Sequence, residues 1–172
     1  MPRSFDMTAD YQGSVDDVFR AFADADYWHG RLAVTAADET ALEALRVADE
    51  SDADAGIEVV TLQVIHSRKL PGLVTQVHRG DLGVRREESW GPISDGSATA
   101  SLSGEIVGAP ASLSGTATLS PIAGGCRMAY QVSVHVRIPL IGGKIEKFIG
   151  AQLVGVVEAE QRFTAGWIAG QA

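Results

Sequence analysis

The feature of this sequence that most restricts its fold is a helical pattern running from Pro139 to Trp167 without a break. Apolar residues recur there in steps of three and four, which is typical of a helix with one apolar stripe. At 1.5 Å per residue such a helix is about 40 Å long, and its stripe needs a partner surface of similar length. The stripe consists of Ile145, Phe148, Ile149, Gln152, Leu153, Val156, Glu160, Phe163 and Trp167.

The partner surface is predicted upstream, where short runs rich in valine, threonine, serine and leucine are separated by turns containing glycine and proline. We predict seven strands, near residues 3–10, 40–48, 56–67, 81–91, 97–107, 112–120 and 125–137. Two short helices follow the first strand, one behind the N-cap residue Ser14 and one from about Asp24 to Leu32. Segment 48–56 is predicted to be an acidic turn, and segment 69–78 a loop with one helical turn.

The links between the later strands are too short to hold crossover helices, so these strands must be antiparallel neighbours. The sequence therefore predicts an α+β fold in which a curved antiparallel sheet of about seven strands wraps around the C-terminal helix. A length of 172 residues is typical of a single domain, so we expect one domain over residues 1–172.

Small side chains on two strands predict open space between the sheet and the C-terminal helix. Alternation places these residues on the inward face: Ala98, Ala100, Leu102, Gly104 and Ile106 of the fifth strand, and Leu113, Gly115, Ala117 and Leu119 of the sixth. Either an apolar cavity lies above them, or large helix residues such as Phe148 and Phe163 fill the space. The sequence alone leaves both alternatives open.

Two charged residues share a phase with apolar ones in the fourth strand. Arg86 and Glu88 alternate in step with Leu82, Val84 and Trp90. Either the two charges point inward as a partnered pair, or a β-bulge reverses the phase. Gln152 and Glu160 raise the same question on the helix stripe, where they could bond a ligand, bond the sheet or lie at the stripe edge.

The net charge of −8 argues against a nucleic-acid partner, because phosphates repel a carboxylate-rich surface. The charge is uneven: residues 1–56 hold 13 acidic and 4 basic side chains. The acidic half either serves solubility alone or leaves a weak anion-attracting region elsewhere. The basic residues of that region are Arg68, Lys69, Arg79, Arg85, Arg86, Lys144 and Lys147.

No motif for a metal, a cofactor or a nucleophile is found, so we expect neither a metal site nor a cofactor. The histidines lack metal-ligand spacing; His66 shares a phase with Val60, Leu62 and Val64, which makes it the one candidate for an inward histidine. Cys126 cannot form an internal disulfide and is interpreted as a core residue. Because neither a signal peptide nor a transmembrane stretch is found, we expect a cytoplasmic protein.

The chain resembles the START-like superfamily, also called SRPBCC or Bet v 1-like, and more closely the actinobacterial domain of unknown function DUF2505. The likeness is carried by residues 2–5, 26–28, 31–32, 70–73, 80–82, 138–147 and 161–163. It implies a helix-grip fold with a pocket between sheet and C-terminal helix, which the superfamily uses for lipids, polyketides, steroids and other apolar molecules. It implies no activity, and no catalytic residues can be carried over.

The first hypothesis is a binding protein for a small apolar molecule. The predicted ligand contacts are Arg86, Glu88, Trp90, Tyr130, Phe148, Gln152 and Val156. A second hypothesis is an enzyme of the polyketide cyclase type that uses Arg86, Glu88 or His66, and the sequence favours binding over catalysis. A third is a protein-interaction module that uses the acidic residues Asp49, Glu50, Asp52 and Asp54. The ligand and the oligomeric state are not predicted.

Overall fold

A computed structural model describes residues 2–48 and 56–170 of the chain. Its helices are α1 (Val15–Phe22), α2 (Ala25–Ala33), α3 (Gly72–Thr75) and α4 (Gly142–Gly170), with a 3-10 turn at Ser67–Lys69. Its strands are β1 (Arg3–Tyr11), β2 (Glu39–Val47), β3 (Ile57–Ile65), β4 (Leu82–Trp90), β5 (Ala98–Ile106), β6 (Ala111–Ile122) and β7 (Gly125–Val136). This order confirms the predicted elements. Residues 49–55 of the predicted acidic turn, with Asp49, Glu50, Asp52 and Asp54, lie outside the described ranges.

The seven strands form one sheet in the order β1-β7-β6-β5-β4-β3-β2, and each neighbouring pair is antiparallel. The predicted α+β fold is thereby confirmed. The backbone of α4 packs closely on β1 and β7, at one side of the sheet, and α2 packs on β2 at the other. The helix α1 also contacts the middle strand β6, but the main helix contacts are with the outer strands.

Local capping explains where the first two helices begin. The Ser14 hydroxyl accepts a hydrogen bond from the Asp17 amide at 3.1 Å, and the Asp17 carboxylate accepts one from the Ser14 amide at 3.0 Å. Asp24 caps α2 by accepting from the Asp26 amide at 2.9 Å. Both N-terminal boundaries are therefore set by residues within one turn of the helix.

An aromatic cluster fills one end of the space between α4 and the sheet. Its members are Phe22, Tyr27, Trp28, Trp90, Phe163 and Trp167, with neighbouring ring centroids 5.3 to 6.2 Å apart. The Trp28 indole N–H donates to the Phe22 carbonyl at 2.8 Å. Tyr27, Trp28 and Trp90 are at most 2% exposed. At this end the predicted cavity is occupied by the protein's own side chains.

A second apolar cluster anchors the first half of α4. Ile145 packs there with Val134 and Val136 of β7. Gly150 permits close approach of the helix to β1, since a Cβ atom at this position would lie 2.1 Å from the Phe5 ring. The second cluster and the aromatic cluster bury the two ends of the helix, and the candidate site lies between them.

Candidate functional site

Strand register divides the concave face into rows that cross the sheet. The first row aligns Trp90 with Ala100, Ala117 and Tyr130. The second aligns Glu88 with Leu102, Gly115 and Val132, and the third aligns Arg86 with Gly104, Leu113 and Val134. Because directly opposed residues share a sheet face, Arg86 and Glu88 point inward with these apolar residues.

Exposure changes sharply from the first row to the next two. Trp90, Ala100 and Ala117 are at most 2% exposed beneath the aromatic cluster. The apolar and glycine residues further along β4, β5 and β6 are only half-buried, although they face the inside of the sheet. These residues, which we call the trough, are Val84, Leu102, Gly104, Ile106, Leu113 and Gly115. The structure thus fills the end of the predicted cavity beneath the aromatic cluster. The trough residues stay partly exposed, although Leu102 packs against the aromatic cluster and Ile106 and Leu113 pack against the second apolar cluster.

Four charged side chains close the inner end of the trough and form an ion-pair network. Arg86 donates to both carboxylate oxygens of Glu160 at 2.9 and 3.4 Å. Arg31 of α2 contacts the same carboxylate and lies 3.9 Å from the carboxylate of Glu88. The side chains of Arg31, Glu88 and Glu160 are 10 to 11% exposed, whereas that of Arg86 is 33% exposed. Arg86 is therefore the member of the network that solvent or a ligand can reach.

Hydroxyl groups hold the network in place. The Thr164 hydroxyl donates its single hydrogen to the Glu160 carbonyl at 2.8 Å. Its oxygen must therefore accept from the Tyr27 hydroxyl, at 2.6 Å. The Tyr27 oxygen in turn accepts from Arg31 at 3.4 Å, and the Arg31 guanidinium lies 4.6 Å from the centre of the Trp28 ring. Arg31 is consequently fixed by contacts on α2 as well as on α4.

The network determines the protonation of its neighbours. Burial by itself lowers the pKa of Arg31, but Tyr27 and Glu88 outweigh burial and raise it. The pKa of Arg86 is lowered by burial and by repulsion from Arg31. Burial raises the pKa of Tyr130 to about 12, against the opposing attraction of Arg31. Tyr130 therefore stays protonated near neutral pH and can donate a hydrogen bond.

The open alternatives for β4 are now decided. The pairing of β4 with β3 and β5 is continuous, so no bulge reverses its phase; the bulge lies in β2, between Leu42 and Ala44. Of the two alternatives, the inward one holds, but Arg86 and Glu88 are paired with Glu160 and Arg31 and not with each other. Glu160 bonds the sheet, as one of its three alternatives predicted.

The remaining predicted contacts take different positions around the trough. Trp90 lies one row away, within the aromatic cluster, at 2% exposure. On α4, Phe148, Gln152 and Val156 follow one another in steps of four before Glu160, and each step turns the position by about 40° around the helix axis. Phe148 is half-buried, Gln152 is exposed and Val156 is 38% exposed. Their role as ligand contacts stays a prediction.

Arg31 was missed by sequence reasoning. It lies on a short helix with no apolar stripe strong enough to show which side is buried. The available signal was its position four residues after Tyr27, which places both on one helix face. The side chain is stretched across from α2 to reach α4, and such a contact is not encoded in local periodicity.

The predicted inward phase of His66 was wrong. Ile57, Val59 and Thr61 are the buried residues of β3, and Ile57 pairs directly with Trp90. His66 instead lies just after β3, with its Nε2 atom 3.4 Å from Glu39. His66 is therefore not among the residues that face the trough.

A polar cluster beside His66 fixes the link between β3 and β4. Ligand atoms of Glu39, His66 and Asp81 lie within 4.8 Å of one another. The Asp38 carboxylate accepts from the His66 amide at 2.7 Å, and Asp81 accepts from the Ser67 amide at 2.9 Å. These hydrogen bonds explain why the polar residues gather here: they anchor the link between β3 and β4.

Two shallow surface hollows are present besides the trough. One, of about 310 Å³, runs between β1 and α4 and is lined by Thr8, Asp10, Glu158 and Gln161 among others. The other, of about 330 Å³, lies on β3 to β5 and is lined largely by the polar residues Glu58, Glu87, Ser101 and Ser103. The second hollow also touches Leu102 of the trough and Glu88 of the ion-pair network, whereas Arg86 lines neither hollow.

A curved antiparallel sheet that grips a long C-terminal helix is the helix-grip fold. Solved structures share this fold: TTHA0849 from Thermus thermophilus matches with a TM-score of 0.59 at 14% identity, over 99% of both chains. A STAR-related lipid transfer protein from Xanthomonas axonopodis matches with a TM-score of 0.54 at 16% identity, over 97% of this chain and 86% of that one.

The particular family follows from sequence. Residues 6–168 match the family described as protein of unknown function (DUF2505), and the chain belongs to that family. It is 62% identical over 170 residues to Uncharacterized protein Rv0481c of Mycobacterium tuberculosis, with 98% of both chains covered. The resemblance predicted from the sequence is thereby confirmed. In the described ranges, none of the helices has the length and apolar character needed to cross a bilayer.

Proposed function

We propose that this protein binds a small apolar molecule with a polar end, and that the trough holds the apolar part. The observation that carries the proposal is the half-exposed apolar floor of the trough directly beside Arg86, which is 33% exposed in an otherwise buried ion-pair network. Sites for small ligands combine these two features, an apolar lining and a few fixed polar groups. The lipid transfer protein from Xanthomonas axonopodis supports the proposal through its shared fold and its name.

Apolar burial supplies most of the affinity in this proposal. Each Å² of apolar surface removed from water contributes about 25 cal/mol. In this proposal Phe148, Gln152 and Val156 contribute the wall on α4, and Trp90 contacts the ligand from beyond the ion-pair network at the inner end. The proposed site lies in the cytoplasm, where the ligand would otherwise be poorly soluble.

The polar end of the ligand is oriented by three groups in this proposal. Arg86 offers N–H donors to an anionic or carbonyl oxygen, and Tyr130 offers a protonated hydroxyl. Within the described ranges, the Glu88 carboxylate and the Tyr130 hydroxyl have no hydrogen-bond partner. Unused hydrogen-bonding capacity beside an apolar floor favours a ligand that carries an oxygen function at one end.

Gly104 provides the sharpest test, because it forms part of the trough floor. A Cβ atom at Gly104 would lie 3.6 Å from Leu113 Cβ and 4.0 Å from Arg86 Cγ, which is ordinary contact. Gly104→Leu therefore introduces a side chain that fits the strand but occupies the trough. Ser103→Leu is the matched control, since it adds the same side chain to the opposite, exposed face of β5.

The measurement has two stages. Native mass spectrometry of protein purified from its own host identifies any retained small molecule, and titration with a fluorescent fatty acid measures occupancy. We expect binding by the wild-type protein and the Ser103→Leu variant, and a loss of at least tenfold in the Gly104→Leu variant. A wild-type protein without retained molecule or probe binding, or equal binding by both variants, would contradict the proposal.

A further inference from the structure

Large exposed apolar residues gather at one edge of the sheet. At this edge β3, β5 and β7 end and β2, β4 and β6 begin. The links here carry Val34, Val77, Val107 and Leu140, which are 37 to 100% exposed. It is also the end of the trough remote from the aromatic cluster, because the rows run from Trp90 through Arg86 towards Leu82. We call these links, 34–38, 66–81, 107–110 and 137–141, the basic edge.

Leu140 is the most prominent residue of the basic edge. It is fully exposed and has a positive φ of 73°, a conformation that leucine rarely adopts. The Ile141 amide donates to the Pro139 carbonyl at 2.9 Å, which makes Leu140 the apex of a γ-turn, and the Gly142 amide donates to the Ile138 carbonyl at 2.9 Å. Folding gains nothing from a strained leucine in water, so the residue points to a contact outside the chain.

Basic side chains surround Leu140. Arg137, Lys144 and Lys147 flank it in sequence, and the Arg3 guanidinium lies 3.7 Å from the Cβ position of Gly143. These four are exposed, and within the described ranges they form no ion pair. The acidic residue in this stretch, Glu146, is 1% exposed and accepts from the Val136 amide at 2.8 Å, so it does not offset them at the surface.

The rest of the chain reinforces this asymmetry. Of the predicted basic region, Lys69, Arg85 and Arg86 are ion-paired with carboxylates. Arg68 and Arg79, by contrast, lie in the 66–81 link and add to the basic edge. Acidic residues occupy the opposite edge, among them Asp16, Asp17, Asp24, Asp26 and Asp95. Asp38, Glu39 and Asp81 lie at the side of this edge where β2, β3 and β4 meet, and Asp38 pairs with Lys69. The part of the edge around Leu140 is therefore the anion-attracting, apolar-tipped part of a chain with a net charge of −8.

We infer that the basic edge docks on the surface of a negatively charged lipid bilayer, with Leu140 inserted among the lipids and Arg3, Arg137, Lys144 and Lys147 against the head groups. Apolar side chains ringed by lysine and arginine are the combination that binds an anionic membrane surface. Docking in this orientation brings the outer end of the trough to the bilayer, so that an apolar ligand can move between them without crossing water. This last step rests on the proposed function.

Vesicle co-sedimentation tests the docking. Purified full-length protein is mixed with vesicles of neutral phosphatidylcholine, or with vesicles that also contain anionic phosphatidylglycerol. We expect binding to the anionic vesicles only, weakening as salt is raised because the attraction is screened. Lys144→Glu and Lys147→Glu should each weaken binding by about fivefold or more, and Leu140→Asp by about tenfold or more.

Two further variants separate docking from folding. Leu140→Gly relieves the positive φ, so it should raise the melting temperature and yet weaken vesicle binding. Val47→Asp is the matched control, since Val47 is 50% exposed at the end of β2, at the opposite edge, and should leave binding unchanged. Absence of binding to either vesicle type, equal binding to both, or unchanged binding by Leu140→Asp and Leu140→Gly would overturn the inference. Binding of a protein at this edge would not rescue it.

Failure of docking and failure of ligand binding give different results. The Gly104→Leu variant should lose the fatty-acid probe and still sediment with anionic vesicles. The Leu140→Asp variant should lose the vesicles and still bind the probe in solution. A variant set in which both properties always disappear together would contradict the separation of trough and basic edge.

Discussion

Replacing Glu160 by Gln tests whether the ion-pair network holds α4 to β4 and α2. The Glu160 carboxylate accepts from Arg86 at 2.9 and 3.4 Å and also contacts Arg31. The side chains of Glu160 and Arg31 are only 11% and 10% exposed, so water cannot easily replace the lost charge. The substitution keeps the shape of the side chain and removes its charge.

The expected loss follows from that burial. Removing one partner of a buried ion pair costs about 3–5 kcal/mol, because the other charge is left uncompensated. Gln retains one carbonyl acceptor, and the Arg86 side chain, which is 33% exposed, can form hydrogen bonds to water in place of the lost ones. We therefore expect Glu160→Gln to lower the free energy of unfolding by about 2–3 kcal/mol. Glu158→Gln, at an exposed site on the same helix, should change it by less than about 0.5 kcal/mol.

Urea unfolding, followed by circular dichroism and tryptophan fluorescence, measures this difference. The midpoint should fall while the slope with urea stays constant, since both variants expose the same surface on unfolding. The melting temperature should fall by about 4–12 °C. Arg31→Gln should cost less in the Glu160→Gln background than in the wild-type protein, because the pair is already broken.

A loss below about 1 kcal/mol, or one equal to that of Glu158→Gln, would refute the reasoning. It would mean that the aromatic cluster alone fixes α4 and that the four charges are only placed near one another. Additive effects of Arg31→Gln and Glu160→Gln would lead to the same conclusion.

Three further predictions concern other parts of the fold. Cys126 should resist maleimide in the folded protein at about pH 8, because burial, and to a lesser extent the carboxylates of Asp17 and Asp10, raises the pKa of its thiol to about 11. Rapid labelling would disprove this. Thr164→Val should lower the free energy of unfolding by about 1–2 kcal/mol, since the buried Tyr27 hydroxyl loses its acceptor, whereas Thr164→Ser should lose little. Hydrogen bonds from the His66 amide and from Lys69 lower the pKa of Asp38 in the folded protein. Its contribution to stability is therefore complete above about pH 4 and is lost as the pH falls through this lowered pKa. Asp38→Asn should flatten this part of the acid-unfolding curve.

Much of the fold could be predicted because its signals are local. Ser14 and Asp24 cap helices through amides two or three residues away. The alternation of small and polar residues in β5 and β6 likewise reflects the backbone of a single strand, and it correctly placed Ala100 and Gly104 on the inward face. Such patterns depend on geometry within a few residues and can be read without knowing the neighbours.

The phase of β3 could not be predicted in this way. Both of its faces carry apolar residues, so the set with Val60 and Leu62 looked as suitable for the core as the set with Ile57 and Val59. Thr61 argued for the wrong choice because it is polar. Pairing with β4 resolves the phase, since Thr61 lies opposite Arg86 and shares the inward face with it.

By itself, the sequence determined the order of elements, the antiparallel sheet and the inward phase of β5 and β6. Only the tertiary structure decided that Arg86 bonds Glu160, 74 residues away, that Glu88 faces Arg31, and that aromatic side chains fill one end of the space. Periodicity is fixed by the backbone of each element, whereas the partner of a charge and the filling of a cavity depend on how distant elements pack against one another.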